Sequence, residues 1–317
     1  MSYVNFNSIY FGLIAVSLFW GTSFAAAKIG MQELLPLNLV IFRFVIASLI
    51  FSAILLFMKR HNTIDRCDIP RFIILGFIAI TSYFYIQYTG LTYTTTINSA
   101  LIIATSPIFT ALFGHLLGWE KISRFAIGGI AVAFSGVAII ITNGQLTGLF
   151  QSTTLKGDLL LLSNAIVWSG FTLYGKTILQ KYRPFVAMAY IHIFGTLFLI
   201  PFAFIATPLA PLPLCSQIGE TTGSTFIAAL YLAGLCSVFA YYMWYVGVEK
   251  IGAVRTAVFS YLNPFFAMLA GIWLLSEHLT SYTLLGGFLV ILGVYTTNQH
   301  KITSKQLPEA TARPKKE

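Results

Sequence analysis

The hydrophobic residues of this chain fall in long runs separated by short polar breaks, and ten runs can be marked: 9–30, 37–58, 71–92, 96–117, 122–142, 157–179, 184–204, 224–248, 253–275 and 281–299. A helix crossing a bilayer needs ~20 predominantly apolar residues, and these runs supply them. Strands are excluded: an open sheet edge in hydrocarbon leaves backbone groups unpaired, and the runs are too long for barrel strands. The pattern therefore predicts an all-α polytopic membrane protein with ten transmembrane helices.

The runs repeat. Ala104-Thr105-Ser106-Pro107-Ile108, followed by Leu117-Gly118-Trp119-Glu120-Lys121, returns as Tyr261-Leu262-Asn263-Pro264-Phe265 and Leu274-Leu275-Ser276-Glu277-His278. Pro107 to Pro264, Glu120 to Glu277, Gly129 to Gly286 and Gly136 to Gly293 are each 157 positions apart, as are Gly90 to Gly247 and Ala100 to Ala257. Earlier in each half, Trp20 to Trp168, Lys28 to Lys176 and Pro36 to Pro184 share an offset of 148. The nine-residue difference fits the long link 205–223, which has no counterpart of equal length in the first half. Five spans per repeat is an odd number, so the second repeat is expected to insert upside down. The domain plan is a short cytoplasmic N-terminus (1–8), a first repeat (9–142), an external linker (143–156), a second repeat (157–299) and a basic tail (300–317), cytoplasmic and disordered.

Composition agrees. Only 9% of residues are charged, against roughly 25% in soluble domains. The net charge of +9 invites a nucleic-acid reading, but sixteen of the nineteen cations fall on one side of alternating spans, where orientation by positive loops puts them. Nucleic-acid binding is therefore not expected, and both termini are expected in the cytoplasm. The first run starts without charge, lacks a small-residue cleavage site and is long enough to span, so it is read as a retained helix. Cys67, Cys215 and Cys236 lack metal-ligand spacing and are read as inert, and neither metal nor cofactor is expected.

Phe19-Trp20-Gly21, Phe42-Arg43-Phe44 and the Pro-to-Leu-Gly-x-Glu pattern of the fourth span make the two halves resemble EamA-type repeats of the drug/metabolite transporter superfamily, over roughly residues 9–299. The second half departs at Leu275 for Gly118, Ile191 for Arg43 and Ser169 for the glycine after tryptophan. The resemblance implies a ten-helix transporter of small metabolites, often working outward.

Arg43 is the sharpest single signal, roughly 9 Å into the second span at 1.5 Å per residue. An ionisable group at that depth faces the bundle interior or a watery cavity. Its candidate roles are a forked donor for a substrate carboxylate or phosphate, or a structural donor to helix-end carbonyls or an outward snorkel. Aromatic residues concentrate in the third and eighth spans: Tyr83, Phe84, Tyr85, Tyr88 and Tyr93 in or just after one, Tyr241, Tyr242, Trp244 and Tyr245 in its copy. Phe84/Tyr88 and Tyr241/Tyr245 are spaced i, i+4, and Gln87 corresponds to Trp244. They are candidates to line a substrate cavity or to act as interface anchors and packing. Trp20 and Trp168 fit cavity or core equally. His192 can be a proton relay or a neutral, hydrogen-bonded member of the bundle.

Pro107 and Pro264 each remove a backbone donor, so they mark kinks, with Thr105, Ser106 and Asn263 placed either to bond freed carbonyls or to touch substrate. Glu120 and Glu277 stand in tight turns just before a helix, to cap that helix or to gate a rim with a loop cation. The glycines around Gly128, Gly129, Gly136, Gly286, Gly287 and Gly293 allow close helix packing.

These residues predict alternating-access transport of small zwitterionic or amphipathic metabolites, amino acids or related compounds, across the cytoplasmic (inner) membrane by export or exchange. The alternative is import or exchange of a nucleotide-like or sulfonium metabolite. A membrane-embedded enzyme would need an acid pair or metal set that is not present at matching depth. The expected partners are a small-molecule substrate and the lipid bilayer; a monomer is compatible with every feature above.

Overall fold

Backbone inside hydrocarbon must bond to itself, and each apolar run does so as helix. The computed structural model describes residues 6–58, 63–118, 121–144, 154–206, 210–251, 256, 259–299 and 301–302. Its principal helices are α1 (Phe6–Gly30), α2 (Pro36–Phe57), α3 (Arg66–Leu91), α4 (Thr96–Leu116), α5 (Arg124–Thr142), α6 (Leu155–Lys181), α7 (Pro184–Ala203), α8 (Gly223–Ile251), α9 (Ser260–Leu275) and α10 (Ser281–Gln299). Among the described residues, seven of these are long and apolar enough to cross a membrane, α9 and α10 are shorter apolar helices, and α6 runs 27 residues. Pro36 and Pro184 open α2 and α7 in the first turn, where a missing N–H costs nothing. Phe11, Leu56, Phe57 and Trp273 are each more than three-quarters exposed, a surface suited to lipid and costly in water. The chain is a multi-pass, helical membrane protein.

The two proline positions break their helices as expected. α4 is two pieces, Thr96–Ile103 and Ser106–Leu116, with Pro107 in the first turn of the second. Proline at 107 leaves the Ile103 carbonyl without its usual donor, and Ser106 Oγ supplies one at 2.6 Å. Thr105 Oγ likewise donates to Ile102, and Ser169 on α6 donates to the Ser106 carbonyl. In α9 a 3₁₀ turn, Ser260–Leu262, precedes the helix that carries Pro264 in its first turn.

Two features are absent from the sequence reading. α3 and α8 each contain a π-helical segment, Phe77–Ser82 and Leu232–Phe239, and the first falls inside the second when shifted by 157. At the start of the tail Lys301–Ile302 makes a two-residue antiparallel pairing with Lys121–Ile122; the rest of the tail lies outside the described residues.

Packing is reciprocal between the halves. α1 packs on α9 and α4 on α6; α1 packs on α8 and α6 on α3; α2 packs on α8 and α7 on α3. α2 with α7 and α5 with α10 are their own counterparts. The α5–α10 contact is backbone to backbone: a Cβ at Gly136 would stand 2.5 Å from the Gly286 carbonyl, and one at Gly293 only 2.4 Å from that of Gly129.

Candidate functional site

The crossing of α2, α3 and α8 holds Arg43, only 2% exposed. Its Nε donates to Ser237 Oγ at 2.9 Å and its Nη1 to the Tyr88 hydroxyl at 2.7 Å. The guanidinium lies over the rings of Phe84 (4.4 Å) and Phe44 (5.0 Å), contacts that gain in strength when desolvated. Ser237 belongs to the π segment, and its hydroxyl donates to the Leu232 carbonyl five residues back; the widened turn aims it at α2. Arg43 therefore neither snorkels nor meets helix-end carbonyls. A guanidinium has five N–H groups, and two are used here. Among the described residues no carboxylate pairs with it.

The aromatic candidates converge on this arginine. Phe84 contacts Tyr83 (4.9 Å between centroids), Tyr83 contacts Trp168 (5.1 Å), Trp168 contacts Tyr241 (6.4 Å), and Tyr241 contacts Trp20 (5.4 Å), which meets Trp244 (5.0 Å). His192 closes the circuit, with Phe44, Phe51 and Tyr241 around its ring. Its Nδ1 bonds the Met188 carbonyl and its buried Nε2 has no partner. Trp20 Nε1 donates to the Cys236 carbonyl. The aromatic residues thus pack into one another, with Tyr83, Tyr88 and Tyr241 buried and Trp20, Trp168, Trp244 and Tyr245 half-buried.

Gln87 is buried outside this chain of contacts, Tyr245 packs at the edge of the same core, and Asn263 stands in the α9 break with Oδ1 unpartnered. Two site residues escaped sequence reasoning. Ser237 is one; the other is Asn164, fully buried on α6 with both amide atoms unpartnered, one turn before Trp168. An asparagine inside an apolar run was the available signal.

Glu277 differs from its expected roles. It does not cap α10, whose first turn is capped by Thr280 Oγ accepting from Thr283 N–H. Its carboxylate instead crosses to α4, accepting from the backbone N–H of Thr96 (2.8 Å) and Ile97 (3.2 Å) and from Thr96 Oγ (2.6 Å). The cation it pairs with is Lys28 in the last turn of α1, at 3.2 Å, not a loop residue. A cavity of about 370 Å³ opens beside this pair, lined by Lys28, Met31, Gln32, Thr92, Leu275 and Glu277. Nearby, Leu212 and Gln217 accept from Asn38 in the first turn of α2. Glu120 lies outside the described residues.

The opposite rim has its own clasp. Lys181 Nζ lies 2.6 Å from Asp65 and 2.5 Å from Asp68, and the Tyr182 hydroxyl donates to Asp68 while accepting from the Asp65 N–H. Cys67 sulfur and these two carboxylates lie within 4.8 Å of one another, but the lysine already bridges the acids. Lys181, by hydrogen bond first and charge second, holds the Asp65 carboxyl below the usual carboxylate range. A depressed carboxyl contributes stability present above its unfolded value, about 4, and lost as pH falls through the lower folded value. Acidification below about pH 4 is therefore expected to free the α2–α3 link, seen as faster amide exchange at Ile64 and Asp65. That acid response should shrink in Asp65→Asn, and an unchanged response would exclude this contact as its cause.

The model of the EamA-like transporter family matches residues 7–142 and again 155–299. A curated relative from Archaeoglobus fulgidus, described as an uncharacterized transporter, is 33% identical over 291 residues, covering 91% of this chain and 97% of its own. A probable amino-acid metabolite efflux pump of Salmonella typhimurium is 26% identical, covering 89% of this chain and 92% of its own. A solved crystal structure matches in fold with a TM-score of 0.62 at 18% identity, over 92% of this chain and 96% of that one. With two family matches and a relative of that identity running the length of the helical core, the chain belongs to the EamA-like transporter family.

Proposed function

We propose that this chain is a secondary transporter for small zwitterionic or amphipathic metabolites, amino acids or close relatives, exporting or exchanging them across the cytoplasmic membrane. The observation that carries the reading is Arg43: a buried cation with no counter-anion among the described residues, two of its N–H groups used by neutral hydroxyls and aromatic rings around it. Leaving a charge so placed is costly, and a substrate carboxylate neutralises it with a forked pair of charge-assisted bonds. One cation suits one carboxylate; cargo with several negative charges would need more. The unpartnered acceptors, His192 Nε2 on α7, whose ring packs on Phe44, and Asn164 Oδ1 on α6, one turn before Trp168, suit a substrate ammonium.

The architecture in this reading is two inverted five-helix repeats, 9–142 and 157–299, with both termini cytoplasmic. The reciprocal helix contacts and the matched π segments of α3 and α8 support it, and inverted repeats around a midplane site are a recurring carrier design. The two halves rock about the packed α5–α10 pair, opening either the Lys28–Glu277 rim or the Lys181–Asp65–Asp68 rim. The Salmonella relative's printed description as an amino-acid metabolite efflux pump supports the substrate class.

Counter-flow in proteoliposomes tests it. Labelled neutral amino acids are expected to accumulate against preloaded unlabelled amino acid, saturably, while their decarboxylated amines are not. Equal counter-flow of the amines would remove the carboxylate from the argument, and flux that never saturates would point to a channel.

A further inference from the structure

The rim that carries Lys28 and Glu277 holds a second carboxylate that the cycle above does not use. Asp158, in the first turn of α6, is fully buried. Thr94 Oγ donates to its Oδ1 at 2.6 Å, and its Oδ2 has no hydrogen-bond partner. The groups facing it are hydroxyls, Thr94 from the α3–α4 link and Thr154 from the turn before α6. Charged groups stand one step away. Lys156, on the same helix, turns to Tyr93, 2.9 Å from its hydroxyl and 4.2 Å over its ring. Lys28, from α1, donates to the carbonyl of Thr94 at 2.9 Å while pairing with Glu277 just past the end of α9, which in turn holds the N-terminus of α4. Among the described residues Asp158 has no ion pair.

A carboxylate buried without a counter-charge and with acceptor capacity unused is stabilised by taking a proton. The Thr94 hydroxyl suits both forms, since it donates to the anion and accepts from the acid. We propose that Asp158 is a proton-binding site that couples the Lys28–Glu277 latch to the proton. Protonated, Asp158 makes no demand on Lys28, which stays with Glu277 and keeps the rim closed. When Asp158 releases its proton to water, an anion rests against the hydroxyl of Thr94, whose carbonyl Lys28 already touches. It competes with Glu277 for that ammonium, and α9 loosens from α1. One proton is thereby tied to the opening of one rim, as a proton-driven exchanger requires. The proposal rests on the alternating-access reading and not on the cargo.

The test uses the full chain in liposomes without substrate, so a wrong cargo leaves it intact. An apolar carbodiimide adds to protonated carboxyls; its adduct is expected at Asp158 by peptide mass spectrometry, with a yield falling about tenfold per pH unit above the midpoint. Over the same range, maleimide labelling of Thr92→Cys in the rim cavity, measured against exposed Cys215, is expected to rise several-fold. Asp158→Asn should flatten that rise, and Glu249→Gln, an exposed acid paired with Lys250, should not. No adduct anywhere between about pH 5 and 9, an adduct indifferent to pH, or an undiminished rise in Asp158→Asn would each overturn the assignment.

Discussion

Arg43→Gln is expected to raise the half-saturating concentration of a carboxylate-bearing substrate by roughly 10- to 100-fold, the loss of ~1.5–3 kcal/mol from a charged hydrogen-bonded contact. Thermal stability in detergent should hold or rise, because the substitution also removes a buried, uncompensated charge. That opposite movement separates a binding role from a structural one. If Arg43 served mainly to tie α2 to Tyr88 and Ser237, stability and transport would fall together. Arg43→Lys retains the charge without the planar fork and should fall between the two. The same half-saturation in wild type and Arg43→Gln would remove Arg43 from the substrate site.

Much of this organisation is legible in the sequence because hydrocarbon permits so few backbone solutions. Most spans read from apolar runs match the observed helices within a few residues, the start of the ninth lying largely outside the described residues, and Pro107 announces the α4 break through a lost N–H that Ser106 then answers. Arg43 and the aromatic residues were legible as a set because charge and aromatic clustering at depth are rare. What stayed hidden depends on which helices meet. Glu277 looks like a cap for α10, and only the α1–α4–α9 junction shows its carboxylate on the N-terminus of α4. Lys181 is in sequence one more cation near the end of a span, and only the fold shows Asp65 and Asp68, more than a hundred residues earlier, holding it. The π segments carry no sequence mark of their own, so Ser237 could not be paired with Arg43 before α2 and α8 were in contact.

Gly128 and Gly129 show the same limit, and they supply a sharp contrast. As neighbours in one small-residue motif they read alike. On α5 they face different surroundings: a Cβ at Gly129 would stand 2.7 Å from Thr297 Oγ1 and 2.8 Å from the Gly293 carbonyl and the Thr297 nitrogen, while one at Gly128 meets nothing within 4 Å. Two of the three atoms opposing Gly129 are backbone of α10 and cannot rotate away. Gly129→Leu is therefore expected to separate α5 from α10 and cost at least the ~1–3 kcal/mol typical of overpacking, seen as a melting midpoint several degrees lower and a loss of monodisperse protein. Gly128→Leu adds an apolar side chain to an open face and replaces a poor helix former, worth up to ~1 kcal/mol in the opposite direction. Its midpoint should match or exceed wild type. Because α5 and α10 form the contact about which the halves are proposed to rock, Gly129→Ala, the smallest intrusion, should slow counter-flow more than it lowers stability. If Gly129→Leu melts with Gly128→Leu, the α5–α10 pair is not packed backbone to backbone, and the pivot must lie elsewhere.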